Sequence, residues 1–360
     1  MTTATAAAPP GEATLLEVRD LTVTFASAQG TARVVRDLSY SVSQAETLAI
    51  IGESGSGKTV SSRAVMGLLP ATAKVTGSIR LNGRELVGLP EHEMRKHRGG
   101  DVAMVFQDPA RSLNPTMKIG EQVTEAIRLH ARIAKRQARQ QAVELLGQVR
   151  LPSPERRFHE YPHQLSGGMR QRVMIAVALA AGPKLLIADE ATTALDVTTQ
   201  AQIMDLLLDL QDQYRMGLVL ISHDMGLAAS YAQNVMVMYA GQVVERASVQ
   251  ELFSSVRMPY TKVLLEAVPR LDLPPHSPLP VVSLRAPDLT SAAPGCAFAP
   301  RCPRCDDDCK QQDPLLVEHD NQHFWACFHP EEPGEATEGQ AEAHGQKAAG
   351  QETAVQEVSQ

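Results

Sequence analysis

The sequence predicts an α/β core with an inserted helical subdomain and a cysteine-rich C-terminal extension. Three observations carry this. Short strand-like runs alternate with helical stretches over most of the chain. The Gly-rich turn "GESGSGKT", residues 52–59, follows a short apolar run and opens into a helical one. Four of the five cysteines crowd into "GCAFAPRCPRCDDDC", residues 295–309, and the fifth is Cys327.

The elements follow in order. "LLEVRDLTVTF" (15–25) and "RVVRDLSYSV" (33–42) alternate apolar and polar residues as half-buried strands do, and "TLAII" (47–51) is a buried-type strand. "SIRLNGREL" is a strand with a turn at Asn82–Gly83, and "DVAMVF" (101–106) is another buried strand. From about 117 to 181 the apolar spacing becomes three and four, as in helices. Strands return at "LLIAD" (185–189), "LVLIS" (218–222), "VMVMY" (235–239) and "GQVVERA" (241–247). A Pro-rich segment then leads to the cysteines. The expected divisions are a disordered N-terminus at 1–14, a core at 15–272 with the helical subdomain at about 108–181, the Pro/Cys-rich extension at 273–330, and a disordered acidic tail at 331–360.

Composition narrows the classes. The net charge of -7 is mostly the tail, whose last 30 residues hold seven Glu and one Lys and no aromatic residue. The remainder is near neutral, so no nucleic-acid footprint is visible. The start "MTTATAAAPPGEAT" lacks a signal-peptide pattern, and the apolar run "VMIAVALAA" falls short of the roughly 20 residues a membrane span needs. The expectation is a cytoplasmic chain, or one held at a membrane by a partner.

The stretch 52–59 fits G-x-x-x-x-G-K-[ST] between a strand and a helix. The glycines Gly52, Gly55 and Gly57, with Ser54 and Ser56, let the backbone wrap so that N–H groups face phosphate oxygens, and the helix N-terminus adds its dipole. Lys58 reaches the outer phosphates and the Thr59 hydroxyl ligates Mg²⁺. "LLIADE" places Asp189 at the C-terminal end of a strand, where it would hold Mg²⁺ through water, and Glu190 is placed to act as general base on an attacking water. Nucleotide hydrolysis is the expected chemistry.

"LSGGMRQR", 165–172, adds a second anion site: Ser166, Gly167 and Gly168 open a helix and expose its N–H groups. This resembles the signature motif of ABC-type ATPases, in which two ATPase domains meet head to tail and the signature of one closes over the nucleotide of the other. The resemblance covers about 15–270 and implies a P-loop NTPase core with an antiparallel β subdomain. By the same resemblance Gln107 is the Q-loop glutamine that touches Mg²⁺ and contacts a transmembrane partner. Asp196 is the D-loop aspartate, and His223 in "LISHD" is the switch histidine at the γ-phosphate. Phe25 is a candidate to stack on adenine, with an ordinary core phenylalanine as the rival reading. Two positions depart from the family pattern: Ala191 stands where Pro is usual, and Ala45 where Gly is usual. Neither removes a catalytic atom.

"FQDPARSLNPTMKIGEQ" (106–122) and "MPYTKVLLEAVPRLD" (258–272) resemble the peptide/nickel group of ABC importers. "GCAFAPRCP…C…PLLVEH…ACFHP" resembles the extension of the D-type ATPase of dipeptide and oligopeptide permeases. By composition alone, four thiols suit a structural Zn²⁺ or a [4Fe–4S] cluster, and "CPRC", Cys302 and Cys305, keeps zinc open. The resemblance points to Cys296, Cys302, Cys309 and Cys327 as iron–sulfur ligands. It further implies ATP and Mg²⁺, a second ATPase subunit (F-type, or a second copy), two transmembrane permease subunits, an extracytoplasmic substrate-binding protein and a place on the cytoplasmic membrane face. The rivals are an importer for nickel, glutathione or another small solute, and a soluble ABC ATPase of DNA repair or translation. The single core and the lack of a long heptad stretch or basic surplus weigh against the last of these.

Overall fold

The structure is a computed structural model that describes residues 14–27, 30–193, 195–267, 294–319 and 322–332. Of the expected disordered N-terminus, residues 1–13 lie outside the described residues and Thr14 begins the first strand; the Pro-rich linker up to residue 293 and almost all of the acidic tail also lie outside them. So do the last residues of the 258–272 stretch.

Among the described residues twelve strands form two sheets. The first sheet is antiparallel, with β1 (Thr14–Ser27), β2 (Gly30–Ser43), β4 (Ala73–Leu81) and β5 (Arg84–Glu85) in the order β2-β1-β4-β5. Asn82 (φ 50°) and Gly83 (φ 75°) make the tight β4–β5 turn in the left-handed region, as two-residue hairpins require. The second sheet holds β3 (Thr47–Ile51), β6 (Val102–Val105), β7 (Leu185–Asp189), β8 (Gly217–Ser222), β9 (Asn234–Tyr239), β10 (Gln242–Ser248), β11 (Val317–Glu318) and β12 (Phe324–Trp325). Their order is β11-β12-β10-β9-β3-β8-β7-β6. From β9 to β6 neighbours run parallel, whereas β10, β12 and β11 are added antiparallel at one side.

The period of two sorts the parallel strands between cores. Leu48 and Ile50, Leu185 and Ile187, and Val219 and Ile221 face one way, into a core shared with Leu16, Leu21, Val35 and Leu38 of the first sheet. Leu186, Ala188, Leu218 and Leu220 face the other way, against a helical layer. With both faces covered, these strands read as unbroken apolar runs rather than alternating ones. A third core gathers Ala49, Ile51, Val235 and Val237 with Leu252, Tyr260 and Phe298.

Between β6 and β7 lie the helices Ile119–His130, Lys135–Gln148 and Gly167–Leu179. The periodic run from 117 does not continue unbroken: residues 131–134 are non-helical, with Ala131 extended (φ -118°, ψ 129°). No Gly or Pro marks the break. Ile133 instead packs, partly buried, against the core of the helical layer, so tertiary packing overrides local propensity. Gly120 allows the first helix to cross Phe158, whose ring lies 2.2 Å from where a Cβ would stand. Among the described residues no helix is long and apolar enough to cross a membrane.

Candidate active site

The glycine loop runs from the end of β3 into the helix Lys58–Val65. It is wedged against other backbone. A Cβ at Gly52 would meet the Met238 carbonyl oxygen at 2.2 Å, and one at Gly57 (φ 102°) would meet that of Val34 at 2.7 Å. The Gly241 N–H donates to the Ser56 carbonyl at 2.9 Å, pinning the loop to the β9–β10 turn. Ser54 and Gly55 form the exposed tip. The Ser56 hydroxyl is buried with no hydrogen-bond partner, a donor left for an incoming group.

Lys58 is 3% exposed, and its ammonium donates to the carbonyls of Gly52 (2.7 Å) and Glu53 (2.9 Å). Burial lowers its pKa, against the pull of Glu190, Asp189 and Glu53. The Thr59 hydroxyl donates to Asp189 Oδ1 at 2.9 Å. Burial raises the pKa of Asp189, and the bond from Thr59 opposes that rise. This hydroxyl and carboxylate are hard oxygen donors of the kind Mg²⁺ takes.

Glu190 follows Asp189 with φ 47°, a left-handed conformation costly for a side-chain-bearing residue. Its N–H is held by the Ile221 carbonyl at 3.0 Å. Its carboxylate accepts a hydrogen bond from Gln107 Nε2 at 2.8 Å and lies 3.9 Å from His223 Nδ1. Gln107 follows β6 and His223 follows β8, and both are exposed. Lys58, Thr59, Gln107, Asp189, Glu190 and His223 therefore converge from the carboxyl ends of β3, β6, β7 and β8, the end at which open α/β sheets take ligands.

The other residues singled out in the sequence stand apart. Phe25, near the end of β1, packs half-buried on the core shared by the two sheets. Ser166 caps the helix Gly167–Leu179 by accepting from the Met169 N–H at 3.4 Å, and Ser166 and Gly167 are exposed. Asp196 caps the helix Val197–Tyr214, accepting from the N–H (3.0 Å) and hydroxyl (2.7 Å) of Thr199. A Cβ at Gly168 would meet Thr199 Cγ2 at 2.7 Å, so these two helix starts lie side by side. Among the described residues no hydrogen bond or ion pair joins them to the Lys58–His223 group.

Cys296, Cys302, Cys309 and Cys327 line one cleft, beside Phe298 and Met258, while Cys305 is not among its walls. No disulfide links any of the five. Burial pushes Cys296 up to about 11 and Cys327 up to about 12, and raises Cys302 and Cys309 as well. Among the described residues no three of these sulfurs lie mutually within 4.8 Å; Asp306, Cys309 and His329 form a three-donor group that does.

Sequence reasoning missed Glu53 and its partners. The Glu53 carboxylate receives two bonds from Arg301, each 2.8 Å, and its N–H donates to the Tyr260 hydroxyl at 2.9 Å. Glu53 occupies a variable position of the loop pattern and its partners lie 207 and 248 residues away, so no local signal marks them.

A buried lysine and hydroxyl behind a glycine loop, facing paired carboxylates on the next strand but one, place the chain among the phosphate-loop nucleotide-binding ATPase cassettes. The solved dimeric cassette MJ0796, in a post-hydrolysis state bound to ADP and Pi, is similar with a TM-score of 0.60 and 27% identity over 65% of this chain and 99% of that one. A family model described as ABC transporter matches residues 35–193, and one described as oligopeptide/dipeptide transporter, C-terminal region, matches 244–309. The oligopeptide transport ATP-binding protein OppD of Escherichia coli is 46% identical over 88% of this chain and 94% of its own length. That of Bacillus subtilis is 46% identical over 89% and 90%. The Mycobacterium tuberculosis OppD is 48% identical over 88% of this chain, which spans only 52% of that longer relative. The chain belongs to the ABC transporter family, in the branch of the oligopeptide transport ATP-binding proteins.

Proposed function

We propose that the chain hydrolyses ATP to power an ABC importer of di- and oligopeptides at the cytoplasmic face of the membrane. The convergence of Lys58, Thr59, Asp189, Glu190, Gln107 and His223 at one sheet end carries the hydrolytic part. The names of the relatives and the match of the 244–309 region support the peptide part.

The loop N–H groups and Lys58 bind the phosphates, and the partnerless Ser56 hydroxyl is one more donor. Thr59, Asp189 and Gln107 would hold Mg²⁺, which would screen the phosphate charge. Glu190 takes the proton of the attacking water, and His223 contacts the γ-phosphate from the same end of the neighbouring strand β8. Phe25 stacks on the adenine. Ser166, Gly167 and Gly168 present their exposed helix start to the nucleotide of a second ATPase subunit, with Asp196 at the same interface. That subunit is an F-type homologue or a second copy. Two transmembrane permease subunits receive the movement through the Gln107 loop and the helical layer, and an extracytoplasmic binding protein delivers the peptide.

Four thiols around one cleft are soft donors for a metal. Zinc–thiolate bonds of about 2.3 Å in a tetrahedron bring sulfurs to about 3.8 Å of each other, closer than any three of these. We therefore propose a structural [4Fe–4S] cluster on Cys296, Cys302, Cys309 and Cys327, stapling residues 294–332. A zinc site is the second reading, favoured by the close donor atoms of Asp306, Cys309 and His329.

Two measurements test the whole. Phosphate release from MgATP by the chain assembled with its permease is stimulated by peptide-loaded binding protein; no stimulation by any peptide would remove the substrate assignment. Iron and sulfide near four per chain with visible charge-transfer absorption support the cluster, and zinc near one per chain replaces it.

A further inference from the structure

Glu53 is a carboxylate inside an anion-binding loop, the second residue of "GESGSGKT". Left alone it would set a negative charge beside the phosphates that the loop receives. The structure neutralises it from outside the core. Arg301 grips both oxygens at 2.8 Å, in the bidentate geometry that a guanidinium makes and an ammonium does not. The Arg301 side chain is 5% exposed. Its guanidinium lies 5.6 Å from the Tyr239 ring centre and 5.9 Å from that of Phe298, and Nη1 lies 3.1 Å from the Tyr239 hydroxyl. Tyr239, Tyr260 and Phe298 pack with ring centres 4.6–5.4 Å apart, a rigid seat for the pair. Tyr260 holds the other end of Glu53, through its N–H. Arg301 stands immediately before Cys302, so the cysteine module is docked onto the phosphate loop itself.

We infer that Arg301 is a positioning residue of the nucleotide site: the C-terminal extension completes the phosphate loop by cancelling the Glu53 charge and fixing its side chain. This rests on the nucleotide reading of the loop and goes beyond it. The extension then acts on nucleotide affinity, not only on its own packing.

The test is MgATP binding by the full chain, read by titration calorimetry, with steady-state hydrolysis alongside. Arg301→Ala leaves Glu53 charged and unpaired, and weakens MgATP binding on the order of tenfold, raising KM with little change in kcat. Arg301→Lys keeps the charge and loses the fork, and falls between. The deciding variant adds Glu53→Gln to Arg301→Ala. Removal of the repelling charge restores affinity to within about threefold of wild type, a rescue that mere loosening of the extension would not give. Equal affinity in wild type and Arg301→Ala, or a double variant no better than the single one, overturns the inference. A wild-type chain that binds no MgATP overturns the nucleotide reading instead, so the two failures are told apart.

Discussion

Gln107 donates to Glu190 across 2.8 Å and so ties the loop leaving β6 to the carboxylate that ends β7. The residue that leads into the helical layer thus holds the group proposed to activate water. Glu190→Gln removes the base and keeps size and hydrogen bonding. Steady-state hydrolysis should fall by a factor of about 10² or more, with MgATP binding retained. Hydrolysis at the wild-type rate in this variant would take the general-base role away from Glu190.

Ala45 sits at φ 60° in the turn between β2 and β3, where family relatives are expected to carry Gly. The left-handed region costs an L-residue roughly 1 kcal/mol, only partly offset by the extra freedom of glycine when unfolded. Ala45→Gly should therefore stabilise the chain by about 0.5 kcal/mol. A thermal unfolding midpoint higher by about 2 °C is the expected reading. A lower midpoint would mean that the turn tolerates alanine at no cost.

Glu245 is wholly buried in β10, accepts from the N–H groups of Arg257 (2.7 Å) and Met258 (3.2 Å), and faces His323 Nε2 at 2.9 Å. His323 is itself 1% exposed. His323→Ala strands a buried carboxylate with one partner fewer, and should cost about 3 kcal/mol. Amide exchange across 317–327 should quicken well beyond any change in β3 or β8, and His323→Gln, which keeps a donor, should show less of this. Uniform exchange across both regions would deny the pair a local role.

The raised thiol pKa values carry a pH signature for metal-free chain. A thiol pushed up is mostly protonated at neutral pH, and only the thiolate reacts. Alkylation of Cys296 and Cys327 by iodoacetamide should be slow at pH 8 and accelerate as pH climbs towards about 11 and about 12. Peptide mass spectrometry reads each site. Metal-loaded chain should resist at every pH, because bound thiolates are shielded. Fast reaction at pH 8 in the metal-free form would show that the surroundings do not raise these two thiols.

The parallel strands were legible because burial on both faces writes them as short apolar runs, "TLAII" and "LLIAD" among them. Lys58, Thr59, Asp189 and Glu190 were legible because their chemistry is packed into local motifs. Gln107 and His223 were readable only through family resemblance, since a polar residue after a strand says little alone. The Arg301–Glu53 and His323–Glu245 pairs were illegible: each is made by folding, between residues 248 and 78 positions apart. The helix break at 131–134 escaped for a related reason, since Ile133 is drawn into a core that the local pattern does not contain. That "HFWACF" would supply a strand to the main sheet also carried no local sign, because two residues are too few to alternate.

That short strand matters to molecules other than this one. Without β12, the ladder of β10 would end in unpaired N–H and C=O groups, an open template for a neighbouring chain. β12 pairs at Glu245 and Arg246, and β11 then closes the row with two exposed residues, one of them Glu318. A strand so short and charged offers little for another sheet to extend. The cysteine-bearing extension thus caps the β10 edge of the main sheet with strands too short to be extended further.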